Sequence, residues 1–94
     1  MKRREVVKSA KPVMTVDSAL FICMTLGAFY NMASEKGANS LAKSAKRKLK
    51  LFVFKHLAVC KQAADKFKAM NDDERSEFVK TYQLPAGLEK EINM

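Results

Sequence analysis

Four basic side chains near the middle of the chain recur at a spacing that places them on one side of a helix. They are Lys43, Lys46, Arg47 and Lys50, at positions i, i+3, i+4 and i+7, and we call them the basic face. The stretch 36–64 holds eight basic residues and no acidic one, so no carboxylate within it neutralises this face. Such a surface attracts polyanions.

Lysine and arginine side chains contact phosphates mainly by charge and without reading base sequence. We therefore expect non-catalytic binding of RNA or DNA through the basic face, assisted by Lys2, Arg3 and Arg4 in a basic amino-terminal arm. Tyr30 and Phe54 are candidate stacking groups. No RNP, KH, zinc-finger or clear helix-turn-helix motif is present, so sequence-specific reading is not predicted. The competing interpretation is a solvated helix surface that only keeps the protein soluble.

Residues suited to catalysis or metal binding are scarce. His56 and Cys60 lie four residues apart on one helical face, and Cys23 is a third potential ligand, but no fourth ligand accompanies them. A core histidine and two core thiols are the better interpretation. The chain has one histidine and three glycines, without a nucleophile elbow or a phosphate-binding glycine loop. We predict no enzyme activity, no metal and no cofactor.

Composition indicates one small folded domain. The 94 residues are 48% hydrophobic and carry a net charge of +8, which is unlike a disordered chain. We divide them into a basic arm, 1–14, and a single helical domain, 15–94. Two cysteines are too few for a disulfide framework, which predicts a cytoplasmic location. The charge is uneven, because 71–94 hold three basic and six acidic residues.

The first predicted helix runs from about Asp17 to Glu35, with Thr15 or Asp17 as its N-cap and Gly37 as its stop. It is apolar on nearly every face, and a helix buried all round needs more partners than this chain offers. We therefore expect a homodimer through this helix, and its small-residue line, Ala19, Cys23 and Gly27, would allow close approach. A signal or membrane segment is the rejected alternative, since the apolar run is short and interrupted.

A second, long amphipathic helix is predicted, with Asn39 or Ser40 as its N-cap and continuing to about Met70. Leu51, Phe54 and Ala58 fall outside its main apolar stripe, so another surface must cover them. A short helix should follow, with Asn71 as N-cap and Glu74 completing a capping box; its Phe78, Val79 and Tyr82 should pack inward. A last helical turn or two should start at Pro85.

The fold class predicted from these elements is all-α, a small bundle of three to four helices including one long amphipathic helix, and dimeric. The predicted partners are nucleic acid and a second copy of the chain, with no membrane. The alternative function is that of a small helical adaptor or inhibitor of a partner protein, because Met-rich helical surfaces also adapt to proteins. Length and charge also suit a phage or mobile-element accessory protein.

Overall fold

The computed structural model describes residues 14–92, which form four α-helices and one 3-10 turn and contain no strand. The all-α class predicted from the sequence is therefore confirmed. The predicted arm lies outside the described residues, apart from Met14. In chain order the elements are α1 (Val16–Glu35), α2 (Asn39–Lys55), α3 (Leu57–Ala69), α4 (Asp72–Thr81) and the 3-10 turn (Glu89–Glu91).

The ends of α1 follow from its flanking residues. The Thr15 hydroxyl oxygen accepts a hydrogen bond from the Ser18 backbone N–H at 3.1 Å, so Thr15 and not Asp17 is the N-cap. Just after the carboxyl end, Gly37 has a φ of 74°, a left-handed conformation that favours glycine. The predicted start and stop of this helix agree with the structure to within a residue.

Helix α1 is the centre of the core, and one copy of the chain does not bury it on every side. Ala19, Leu20, Ile22 and Leu26 are at most 2% exposed, because α2 and α3 both pack against α1. On another side Met32 is 55% exposed. A monomer of this chain therefore covers only part of its most apolar helix.

In residues 14–92 one helix, α1, is long and apolar enough to cross a membrane by length and composition alone. Its most apolar 18-residue window has a mean hydropathy of 1.3. A single helix of this kind is weak evidence for a membrane span. Core helices of soluble proteins and amino-terminal signal sequences meet the same criterion, and 33% of this window is buried in the fold.

The predicted long helix is instead two helices, because the chain leaves helical geometry at His56. There φ is −124° and ψ is 48°, although Cys60 N–H still donates to the His56 carbonyl at 2.9 Å. A straight helix from residue 39 to 69 would be about 46 Å long against about 30 Å for α1. The bend brings both Phe52 of α2 and Ala63 of α3 into the core against α1.

Helix α4 has the predicted capping box. Glu74 N–H donates to Asn71 Oδ1 and Asn71 N–H donates to Glu74 Oε1, both at 2.8 Å. Two aromatic rings then attach α4 to Phe21 of α1: the Phe78 ring centroid lies 6.4 Å away and the Tyr82 centroid 5.4 Å away. The inward packing expected of these two rings is therefore observed.

Two predictions about the carboxyl-terminal quarter are wrong. Val79 is 42% exposed, because the aromatic contacts with α1 turn the neighbouring Phe78 inward and leave Val79 toward solvent. Pro85 does not start a helix, since Gly87, with a φ of 96°, interrupts the segment before the 3-10 turn. Leu88 nevertheless packs inward and is 5% exposed.

Candidate nucleic-acid interface

The basic face lies on one side of α2, where the sequence placed it. Lys43, Lys46, Arg47 and Lys50 are all exposed. The other side of α2 is fixed against the core, where its Ala42, Ala45 and Phe52 are buried. Because the helix is anchored by its apolar side, the four charges are held outward over about two turns.

The carboxylates of the described residues do not neutralise the basic face. The ion pairs within residues 14–92 join Lys55 to Glu91, Lys66 to Asp17, and Arg75 to Asp72. None of them includes a residue of the basic face. The acidic residues at the start of α4 would neutralise the basic face if they lay over α2. Instead, Glu74 forms the capping box with Asn71, and Asp72 pairs with Arg75 within α4.

Phe54 extends the basic face by one more turn toward the end of α2. Its side chain is 83% exposed. At about 100° per residue it lies within about 20° of Lys43 and Arg47 and about 40° of Lys50 around the helix axis. Leu51, which is 60% exposed, lies beside it. An aromatic ring in water is thus aligned with a row of positive charges.

The other predicted contributors are not brought together with this surface. Of the two candidate stacking groups, Phe54 lies on the same helix as the basic face. Tyr30 lies on α1 instead and is half-buried. Lys2, Arg3 and Arg4 lie outside the described residues. Their expected assistance to the basic face stays a prediction.

The two cysteines lie next to each other where α1 meets α3, and the pKa of each thiol is raised. Burial raises the pKa of Cys23 to about 12, with smaller contributions from the Cys60 thiol and its hydrogen bond. Burial also raises the pKa of Cys60, and the hydrogen bond with Cys23 opposes that rise. Both groups therefore stay protonated at neutral pH, whereas a nucleophilic cysteine reacts as its thiolate.

His56 packs on Phe52, with ring centroids 4.9 Å apart. Its Nε2 is buried and has no hydrogen-bond partner among the described residues. No cluster of three or more histidine, cysteine, aspartate or glutamate side chains able to hold a metal occurs in residues 14–92. His56 is best described as a packing residue at the bend between α2 and α3.

A second surface, which we call the α1 groove, opens between α1 and α3. It has a volume of about 820 Å³ and reaches from α1 to the end of α2 and the start of α4. Its walls include Met24, Leu57 and Phe67, and its floor includes Cys23 and Gly27. A Cβ atom added at Gly27 would meet nothing within 4 Å, so the chain itself leaves the space above this glycine empty.

The sequence did not predict the α1 groove, although two of the residues that line it, Cys23 and Gly27, belong to the predicted line of small residues. The small-residue line through Cys23 and Gly27 was the signal for close helix approach. The bend at His56 places α3, with its Leu57, next to Cys23 and Gly27. No feature of the sequence predicts this bend. The volume of the groove is therefore a result of packing alone.

Comparison of the chain with models of protein families, with curated proteins and with solved structures gave no match. The function of the chain is therefore inferred from the basic face and the α1 groove.

Proposed function

We propose that this protein binds RNA or DNA without catalysis, through contacts between phosphates and the basic face. The observation that carries the proposal is the exposure of four cations on one side of α2 with no ion-pair partner among residues 14–92. Lys2, Arg3 and Arg4 add to the same interaction. The net charge of +8 contributes to long-range attraction of a polyanion.

Phosphate contacts of this kind give affinity that falls with salt. Each phosphate neutralised contributes a slope of about −0.9 in log K against log salt on duplex DNA and about −0.7 on single strands. Four contacts from the basic face thus contribute about −3.6 on duplex DNA and about −2.8 on single strands. Because no base-reading motif supports the site, affinities for unrelated sequences of one length should be similar.

The test is co-purification at low salt. The wild-type protein should carry ultraviolet-absorbing material that nuclease removes. A variant with four glutamines on the basic face should lose it while far-ultraviolet circular dichroism stays unchanged, since glutamine has nearly the helix propensity of lysine and arginine. The control variant removes the same number of charges from exposed positions elsewhere, namely Lys61, Lys68, Lys80 and Lys90, and should keep most of the bound material. Equal loss in both variants would contradict the assignment to the basic face.

A protein-interaction role is the second candidate, and the α1 groove favours it. The first occupant we propose is a second copy of the chain, in a homodimer through α1. Two-fold symmetry requires one patch to offer both a recess and a projection. The empty space over Gly27 supplies the recess, and Leu57, 51% exposed on the wall, supplies the projection. If the protein is a monomer, the same groove suits an apolar helix of another protein, as an adaptor or inhibitor would use.

A further inference from the structure

The exposure of Phe54 has no explanation within the fold. Burying a phenylalanine side chain contributes about 1.5–3 kcal/mol, yet Phe54 is 83% exposed while Phe52, two residues earlier, is 2% exposed. Isolated exposed apolar residues are ordinary. Phe54 differs because it is aromatic, lies beside the exposed Leu51, and continues a row of cations.

The basic face and Phe54 together are long enough to contact a short segment of a polynucleotide strand. With a rise of about 1.5 Å per residue, Phe54 lies about 6 Å beyond Lys50 and about 17 Å beyond Lys43 along the helix axis. A stacked strand advances about 3.4 Å per nucleotide. The distance from Lys43 to Phe54 thus corresponds to about five nucleotides, with phosphates over the cations and a base at the aromatic ring.

We infer that the preferred ligand of this surface is single-stranded nucleic acid, with one unpaired base stacked on Phe54. This inference rests on the proposed function and narrows it. Bases of a duplex are stacked on one another, and exposing one costs a few kcal/mol. A single strand offers the face of a base without that cost, and stacking on an aromatic side chain stabilises binding without requiring a particular base.

The arrangement also explains why the aromatic ring stands at the end of the cationic row. Bends and turns of a flexible strand bring its bases and phosphates to different sides of the backbone. A ligand lying along α2 can place phosphates over Lys43, Arg47 and Lys50 and then turn a base onto Phe54. A rigid duplex would have phosphates at this position, and the ring would contribute nothing to its binding.

The experiment compares three substitutions of Phe54 against single-stranded and duplex probes. The probes are fluorescein-labelled DNA and RNA of about 20 nucleotides, longer than the strand segment that α2 spans, and the duplex of the same sequence. Phe54→Ala removes the ring, Phe54→Leu keeps apolar bulk without a π face, and Phe54→Trp keeps stacking. The chain has no tryptophan, so the new indole is also a specific fluorescence reporter. Leu51→Ala is the control for loss of a neighbouring exposed apolar side chain.

Phe54→Ala should weaken single-strand binding by about 5- to 150-fold, which corresponds to about 1–3 kcal/mol, and leave duplex binding within about twofold. Phe54→Leu should lose as much single-strand affinity as Phe54→Ala, and Leu51→Ala should keep the affinity of the wild type. The indole fluorescence of Phe54→Trp should be quenched when the single strand is added. Unchanged single-strand affinity in Phe54→Ala, or tighter wild-type binding to duplex, would overturn the inference while leaving the basic face intact. Failure of the wild type to bind any probe would overturn the proposed function as well.

Discussion

Filling the space above Gly27 should make the monomer more stable. Gly27 lies in the interior of α1, where glycine costs about 0.8–1.0 kcal/mol relative to alanine. A Cβ atom there meets nothing within 4 Å, so Gly27→Ala introduces no clash that offsets the gain. The expected increase in the free energy of unfolding is about 1 kcal/mol, and for a domain of this size the melting temperature should rise by about 4–8 °C.

The assay is urea unfolding followed by circular dichroism, at concentrations where light scattering reports a single 10.6 kDa chain. At higher concentration the wild type should approach twice that mass, because the proposed homodimer uses the recess over Gly27. Gly27→Leu fills the recess and should stay monomeric. Ser76→Leu is the matched control, since it adds the same side chain to an exposed position of α4 outside the groove and should leave the dimer unchanged.

Two results would refute this reasoning separately. If Gly27→Ala lowers the stability of the monomer, the space above this glycine is occupied and the α1 groove is not open. If the wild type is a monomer at every concentration tested, the groove does not hold a second copy, and the exposed side of α1 at Met32 needs another explanation.

Three further predictions concern stability. Tyr82→Phe removes the 2.6 Å hydrogen bond to the fully buried Ser18 hydroxyl and should cost about 1–2 kcal/mol in urea unfolding; an unchanged midpoint would show that this bond contributes nothing. Asn71→Ala removes the hydrogen bond that Asn71 Oδ1 accepts from Glu74 N–H and should lower the free energy of unfolding by about 1 kcal/mol. The melting temperature should therefore fall, and a melting temperature equal to that of the wild type would contradict the role of the cap. The raised pKa of Cys23 means that the folded chain holds this proton more tightly than the unfolded chain, so stability should fall as pH rises from 9.0 toward about 12. Cys23→Ala should show a weaker fall between pH 9.0 and about pH 12 than the wild type, and identical slopes would count against a raised pKa of Cys23.

Local signals predicted the helix ends at Thr15, Gly37 and Asn71, but not the start of α2, whose N-cap is Ala38 rather than Asn39 or Ser40 and makes no side-chain hydrogen bond. Thr15, Gly37 and Asn71 act at the positions that their chemistry favours, since a side-chain oxygen satisfies the free N–H groups at a helix start and glycine tolerates positive φ at a helix end. The exposure of the basic face also agrees with the helical spacing of its residues. These features depend on a few neighbouring residues, which is why the sequence alone was sufficient.

Features set by contacts between helices were not predictable in this way. The bend at His56 has no proline or glycine nearby, and the apolar pattern continues through it; the bend follows from packing Phe52 and Ala63 against the same shorter helix. Val79 is exposed because Phe78 contacts α1, which periodicity in one short helix could not decide. Helical spacing could place Phe54 on the cationic side of α2, but its 83% exposure depended on which elements cover that side.

The most direct test of the central claim is the salt dependence of nucleic-acid affinity, measured by fluorescence anisotropy for the wild type and for the variant with four glutamines on the basic face. We predict that log K falls with log salt and that the slope for single strands is less steep by about 3 in the variant, as four lost phosphate contacts require. A variant with the affinity and slope of the wild type would contradict the claim that these four side chains bind phosphate.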